Sequence, residues 1–149
     1  MSGHAADLEE NKMILDRLVT MLIYFGASLI LLLLGMVAFR IFNFKANVKD
    51  ELVEKDNFAF AVVYASYFAG LIIAIGGVFW GESNGIVDDL LDIGFYGVVA
   101  ILLLNISSYI NDWLILRKID APKEIIEDRN AGTAVVLGAS YIATGLVVA

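Results

Sequence analysis

Asn105, Ser108 and Asp112 recur at helical spacing within a long apolar stretch, with Ser107 and Asn111 beside them. Residues three and four apart share a helix face, so these side chains form one polar stripe. At membrane depth such a stripe either bonds helices to one another or lines a path for an ion or small solute. Asp88, Asp89 and Asp92 mark the start of the same stretch. Asp92 or Asp112 could in principle act as a general base on a lipid. No nucleophile or metal cluster accompanies either one in the sequence, so no catalytic residue is assigned.

Other chemistries are excluded by residue type. The chain has no cysteine, which removes disulfides, thiolate metal sites and cysteine nucleophiles. Its single histidine, His4, lies in the polar N-terminal segment, far from any polar stripe. Histidine-ligated haem and a Ser-His-Asp triad are therefore not expected. Gly76-Gly77 sits inside an apolar run and not between a strand and a helix, so it is no phosphate loop. The formal net charge of −7 argues against nucleic acid as a partner. No cofactor and no metal are expected.

These residues must be positioned by membrane helices. The chain has 149 residues, of which 60% are hydrophobic, and its mean hydropathy is +0.80. A soluble domain is about 45–50% apolar. Crossing about 30 Å of hydrocarbon takes roughly 20 apolar residues in a helix, and four stretches qualify. They run without a charge over residues 18–39, over residues 58–81, between Asp92 and Asp112, and from Arg129 to the end. Residues 1–16 read as a polar tail. The first stretch is too long for the apolar part of a signal peptide, is preceded by acids, and has no A-x-A site after it. The runs are continuous, not alternating, so they are helices and not barrel strands. The fourth is short: it either just reaches the far interface or continues in a longer natural chain.

Eight of the ten basic residues fall in two loops. Arg40, Lys45, Lys49 and Lys55 follow the first span, and Arg117, Lys118, Lys123 and Arg129 follow the third. Basic loops stay in the cytoplasm, which places both termini in the periplasm of a bacterial inner membrane.

The two basic loops also repeat each other. Residues 51–63 read ELVEKDNFAFAVV and residues 124–136 read EIIEDRNAGTAVV, an offset of 73. Glu51 matches Glu124, and Asn57 matches Asn130. A unit of two spans repeats in parallel, not inverted. The expected architecture is an all-α, four-helix membrane bundle in one domain over residues 1–149. It is built from two duplicated hairpins, about 18–81 and about 86–149, each with a short amphipathic cytoplasmic helix. In those short helices Leu52, Val53, Ile125 and Ile126 would dip into the interface while the acids stay wet. Asn57 and Asn130 form a repeated polar pair where charged sequence gives way to apolar. Capping a helix start is the simpler role for them. Lining a pore or a head-group site is the alternative.

Lipid tails are as apolar as leucine, so helix contacts depend on close approach and hydrogen bonds. Small residues recur in the second span at Ala61, Ala65, Ala69, Gly70 and Ala74, and in the fourth at Ala139, Ala143 and Gly145. These faces predict that spans two and four are the tightly packed inner helices, and that the leucine-rich first span faces lipid.

KDNFAFAVVYASYFAGLIIA and EDRNAGTAVVLGASYIATGLVVA, together with the four-span pattern, resemble the YjfL-like bacterial inner-membrane family, domain of unknown function 350. The resemblance runs from about Leu18 to the C-terminus. It implies a small four-helix inner-membrane protein without an established activity, often associated with membrane-stress genes.

The functional expectation is a non-enzymatic membrane component, either a homo-oligomer or a small subunit of a larger membrane assembly. The alternative is an oligomeric channel or small-solute transporter with its path along Asn105, Ser108 and Asp112.

Overall fold

The computed structural model describes residues 2–42, 46–81, 83–117 and 119–149. Lys45 and Lys118, counted above among the basic residues, lie outside them, as does the side chain of His4. The described regular structure is all helical. Four helices are long and apolar enough to span a bilayer, covering Asp7–Phe42, Phe58–Val78, Ile86–Ile115 and Ala131–Val148.

Helix α1 runs from Ser2 to Phe42 without a break. The polar tail is thus no separate unit but the first turns of the span helix. Residues 5–17 contain Ala, Leu, Glu, Lys and Met and no Gly or Pro, so nothing in them stops a helix. At 1.5 Å per residue α1 is about 60 Å long, roughly twice the hydrocarbon thickness, so its N-terminal part stands clear of the membrane core.

Helix α2 spans Phe58–Val78 and α3 spans Ile86–Ile110. A wide π-helical turn, Asn111–Ile115, continues α3 to the end that carries the basic loop. The short α4, Ala121–Ile126, has Pro122 in its first turn, where the missing N–H costs nothing. Helix α5 spans Ala131–Val148.

The two segments expected as interface helices differ from each other. The second is the six-residue α4, which buries Ala121 and Ile125. The first is only a five-residue π-helical turn, Asp50–Glu54, and it inverts the expected pattern. Glu51 is 2% exposed while Val53 is 66% exposed. The acid goes inside because two donors meet it there, as described below. Segments this short hold no helix by themselves and depend on tertiary contacts.

Helices α2 and α5 run parallel and make the most extensive contact in the chain. Helix α3 lies against both, and α1 packs on α3 and, less extensively, on α2. Phe39 of α1 enters the core, where its ring stands 5.0 Å from Tyr67 and 6.2 Å from Phe60. Most of α1 is otherwise exposed, with Leu22 and Met21 both facing outward.

Candidate functional site

The matched loop sequences fold into matched local structures. Asn57 and Asn130 each occupy the N-cap of a spanning helix with extended backbone, at φ −74°, ψ 94° and φ −73°, ψ 103°. The Asn57 side-chain oxygen accepts from Phe60 N, and that of Asn130 accepts from Gly132 N and Thr133 N. Each amide nitrogen donates back to the acid six residues earlier. Asn57 Nδ2 lies 2.9 Å from Glu51 Oε2, and Asn130 Nδ2 lies 2.6 Å from Glu124 Oε2. The backbone N–H of each asparagine also donates to that acid's carbonyl, at 2.9 Å and 2.8 Å. The preceding residues, Asp56 and Arg129, take positive φ values of 48° and 52°. That conformation is uncommon for residues other than glycine, and its occurrence at both places marks one shared turn.

The two turns differ in burial. Asn57 is 1% exposed, and its Nδ2 also donates to the Ile125 carbonyl of α4 at 2.9 Å. Lys55 Nζ stands 2.6 Å from Glu51 Oε1. Burial alone would raise the Glu51 carboxyl, but hydrogen bonds from Lys55 and Asn57 more than offset it and hold the group below its ordinary value. Asn130, by contrast, is exposed. The repeated pair therefore does not meet at one site: each amide is occupied in closing its own helix.

At the α2–α5 contact the small residues divide. Gly70 and Gly145 face each other so closely that a methyl on Gly145 would stand 2.7 Å from the Gly70 Cα. Gly138 approaches Ser66, where a methyl would meet Ser66 Cβ at 3.0 Å. Ala74 is buried, and Ala61 and Ala69 are half-buried. Ala65, Ala139 and Ala143 are exposed. Of the expected small-residue faces, Gly70, Ala74 and Gly145 turn inward, whereas Ala65, Ala139 and Ala143 do not. Backbones approach at the glycines, and bulky Phe60, Val63, Tyr67 and Leu71 fill the space around them.

The stripe on α3 turns inward. Asn105 is 5% exposed and donates from Nδ2 to the Tyr67 hydroxyl at 3.1 Å and to the Ile101 carbonyl at 2.7 Å. Ser108, also buried, shares a hydrogen bond with Tyr141. The Tyr67 and Tyr141 rings meet edge to face, 5.3 Å apart at 88°. Asn105, Tyr67, Tyr141 and Ser108 thus form a polar column through the middle of the bundle. Asp112, half-buried near the end of α3, has a buried Oδ1 without a hydrogen-bond partner, and so has Asn111.

The two tyrosines were not singled out from the sequence. Their signal was present: Ala-Ser-Tyr occurs at 65–67 and again at 139–141, just after the repeated stretch and one residue out of its register. At the opposite end, Tyr24 donates to Asp89 Oδ2, and Ser83 Oγ donates to the same oxygen at 2.6 Å. This cluster, with Thr20 and Asp92, borders a cavity of about 240 Å³ and ties α1 to α3.

Comparison with known proteins gives a consistent result. No solved structure matches the chain. A UPF0719 transmembrane protein from Aquifex aeolicus (strain VF5) is 32% identical, over 80% of this chain and 47% of the relative. The chain thus spans about half the length of that curated relative. The family model described as Domain of Unknown Function (DUF350) matches residues 13–149. With four candidate spans and a transmembrane relative, the chain belongs to the DUF350 family of membrane proteins.

Proposed function

We propose that this protein is a non-enzymatic, multi-pass inner-membrane component that works as an oligomer, built from two hairpins of common origin. Its basic loops face the cytoplasm and both termini face the periplasm. The matched asparagine turns support the duplication. So do the pairs that meet between α2 and α5, Tyr67 with Tyr141 and Gly70 with Gly145, whose offsets of 74 and 75 lie within two residues of the repeat offset of 73. Near-equivalent residues meet along the parallel contact of the two helices.

One observation carries the oligomer. Helix α3 occupies the groove on one side of the α2–α5 pair. A complete two-fold arrangement would put α1 in the groove on the other side, but α1 packs beside α3 instead. Helical spacing places Ala65 and Ala69 of α2 and Val135, Ala139 and Ile142 of α5 along that other groove. Ala65, Val135 and Ala139 are exposed. Small residues facing outward from a membrane helix suit the close approach of another helix, because they gain little from lipid that leucine would not gain more. A second copy of the chain is the occupant that this reading names.

The test uses the absence of native cysteine. Ala139→Cys, oxidised in native membranes, is expected to give covalent dimers, while Leu22→Cys on the exposed face of α1 stays monomeric. A single-copy particle in lipid nanodiscs, with no cross-link from Ala139→Cys, would remove the proposal.

A second reading, an oligomeric channel or small-solute transporter, draws on the polar column and on the orphan oxygen of Asp112. It requires ion flux into liposomes above that of empty vesicles, and a change of at least about tenfold with Asn105→Leu. Removing a buried donor that touches the path would produce a change of that order.

A further inference from the structure

Helix α1 outruns the rest of the bundle at one end. Its Phe39 ring stands 6.2 Å from Phe60 near the start of α2, and its Tyr24 ring 6.0 Å from Phe79 just past the end of α2. Thr20 still borders the cavity at that end, with Phe79 and Ser83. Beyond Thr20 no described element covers α1, and residues 7–19 are all exposed. At 1.5 Å per residue they project about 20 Å from the bundle. Six charged side chains between Asp7 and Arg17 keep this length out of the hydrocarbon, so water surrounds it.

The projecting length carries an apolar seam. Leu8, Leu15 and Leu18 are 50%, 60% and 53% exposed. With Asn11 they follow the alternating steps of a coiled coil, Leu8 and Leu15 at a, Asn11 and Leu18 at d. A helix in water owes most of its stability to packing such a face. The charges suit a partner of the same sequence. Glu9, Glu10, Asp16 and Arg17 fall on the opposite side of the helix. Asp7 and Lys12 flank the seam, at g and e, and neither makes an ion pair among the described residues. In a parallel pair each g residue faces the e residue of the next heptad in the other helix, five positions on. Asp7 of each copy therefore meets Lys12 of the other. The next such positions, Ile14 and Val19, are both apolar and exposed, and they widen the seam.

We propose that the projecting part of α1 pairs with α1 of a second copy, as a short parallel coiled coil from Leu8 to Leu18 held by two Asp7–Lys12 ion pairs. Asn11, the one polar residue of the seam, fixes its register. A resting place on the membrane surface is ruled out, because α1 runs unbroken into its span. Both copies insert the same way up, so the pair is parallel. Tethering in one membrane raises the effective concentration and lets two heptads suffice. The seam ends at Leu18. Leu22, next in register, is level with Tyr24 where lipid begins, and there a leucine gains as much from a tail as from another helix. Below that level each α1 follows its own bundle. The seam faces away from that bundle: about two and a half turns separate Leu22 from Leu31, which packs on Gly97 of α3. The proposal rests on the oligomeric reading above, but not on the groove beside α5.

The test uses the full chain in native membranes. Leu15→Cys is expected to oxidise to a covalent dimer, and Leu22→Cys to stay monomeric. Adding Asp7→Lys to Leu15→Cys should lower the dimer yield at least about threefold, since two attractions become repulsions, and adding Lys12→Asp should do the same. Co-expressed, these two chains should recover the yield as a mixed dimer, because each offers the charge that the other lacks. These charges are exposed, so their reversal leaves the bundle intact. No dimer from Leu15→Cys while Ala139→Cys still cross-links would overturn this proposal alone. The reverse result would keep it and remove the groove contact. Dimers indifferent to charge, no recovery in the mixed pair, equal cross-linking at Leu22→Cys, or capture of a different protein by Leu15→Cys would each overturn it.

Discussion

Gly145→Ala is expected to destabilise the bundle by about 2–3 kcal/mol, read from reversible unfolding in bicelles. The added methyl would meet the Gly70 carbonyl oxygen, its Cα at 2.7 Å and its carbonyl carbon at 2.8 Å. All three are backbone atoms of the facing helix, so no side chain can rotate away. The helices must separate or slide, and the edge-to-face pair of Tyr67 and Tyr141 lies one turn away in the same interface. Gly70→Ala should behave alike, because its methyl would meet the Tyr141 carbonyl group. Gly26→Ala and Gly76→Ala are the controls. Neither added carbon finds an atom within 4 Å, so both should be neutral or slightly stabilising through reduced freedom of the unfolded chain. If Gly145→Ala lies within about 0.5 kcal/mol of Gly26→Ala, the close glycine approach is wrong.

Asn57→Ala is expected to cost about 3 kcal/mol, and the equivalent Asn130→Ala only about 1 kcal/mol. Both lose a helix cap. Only Asn57 also leaves two buried acceptors, Glu51 Oε2 and the Ile125 carbonyl, short of a donor. The same network has a pH signature. Glu51 is held below its ordinary value in the folded chain, so its contribution is present at neutral pH. It is lost as pH falls below about 4.3, the value the unfolded chain would show, and on through the lower folded value. Glu51→Gln should flatten that acid limb. Equal costs for the two asparagines would mean that the turns are equivalent in burial as well as in shape.

The contrast between the two turns shows where the sequence stops informing. ELVEKDN and EIIEDRN, 73 residues apart, are enough to predict the same cap, because a cap is set by neighbours within six residues. Nothing in either stretch says that α4 arrives over the first and leaves the second open. That depends on contacts 68 residues apart in the chain, such as Asn57 with Ile125. For the same reason Glu51 was expected to stay wet and is instead among the most buried residues.

The helical class and the four spans were legible in the sequence, because the bilayer imposes them directly. Each crossing must be about 20 apolar residues with every backbone group bonded within its own helix, and composition alone reveals where that holds. Which faces touch was not. In lipid a leucine gains as much from a tail as from another helix, so hydropathy has no preference among the faces of an apolar helix. Shape decides, and shape needs both partners. Gly70, Ala65 and Ala69 all looked alike as small residues, yet Gly70 is buried against the backbone of Gly145 while Ala65 is exposed and Ala69 half-buried. The tertiary structure alone assigned Tyr67 and Tyr141 to the core, Gly70 and Gly145 to the close approach, and Ala65, Ala139 and Ala143 to the outer face.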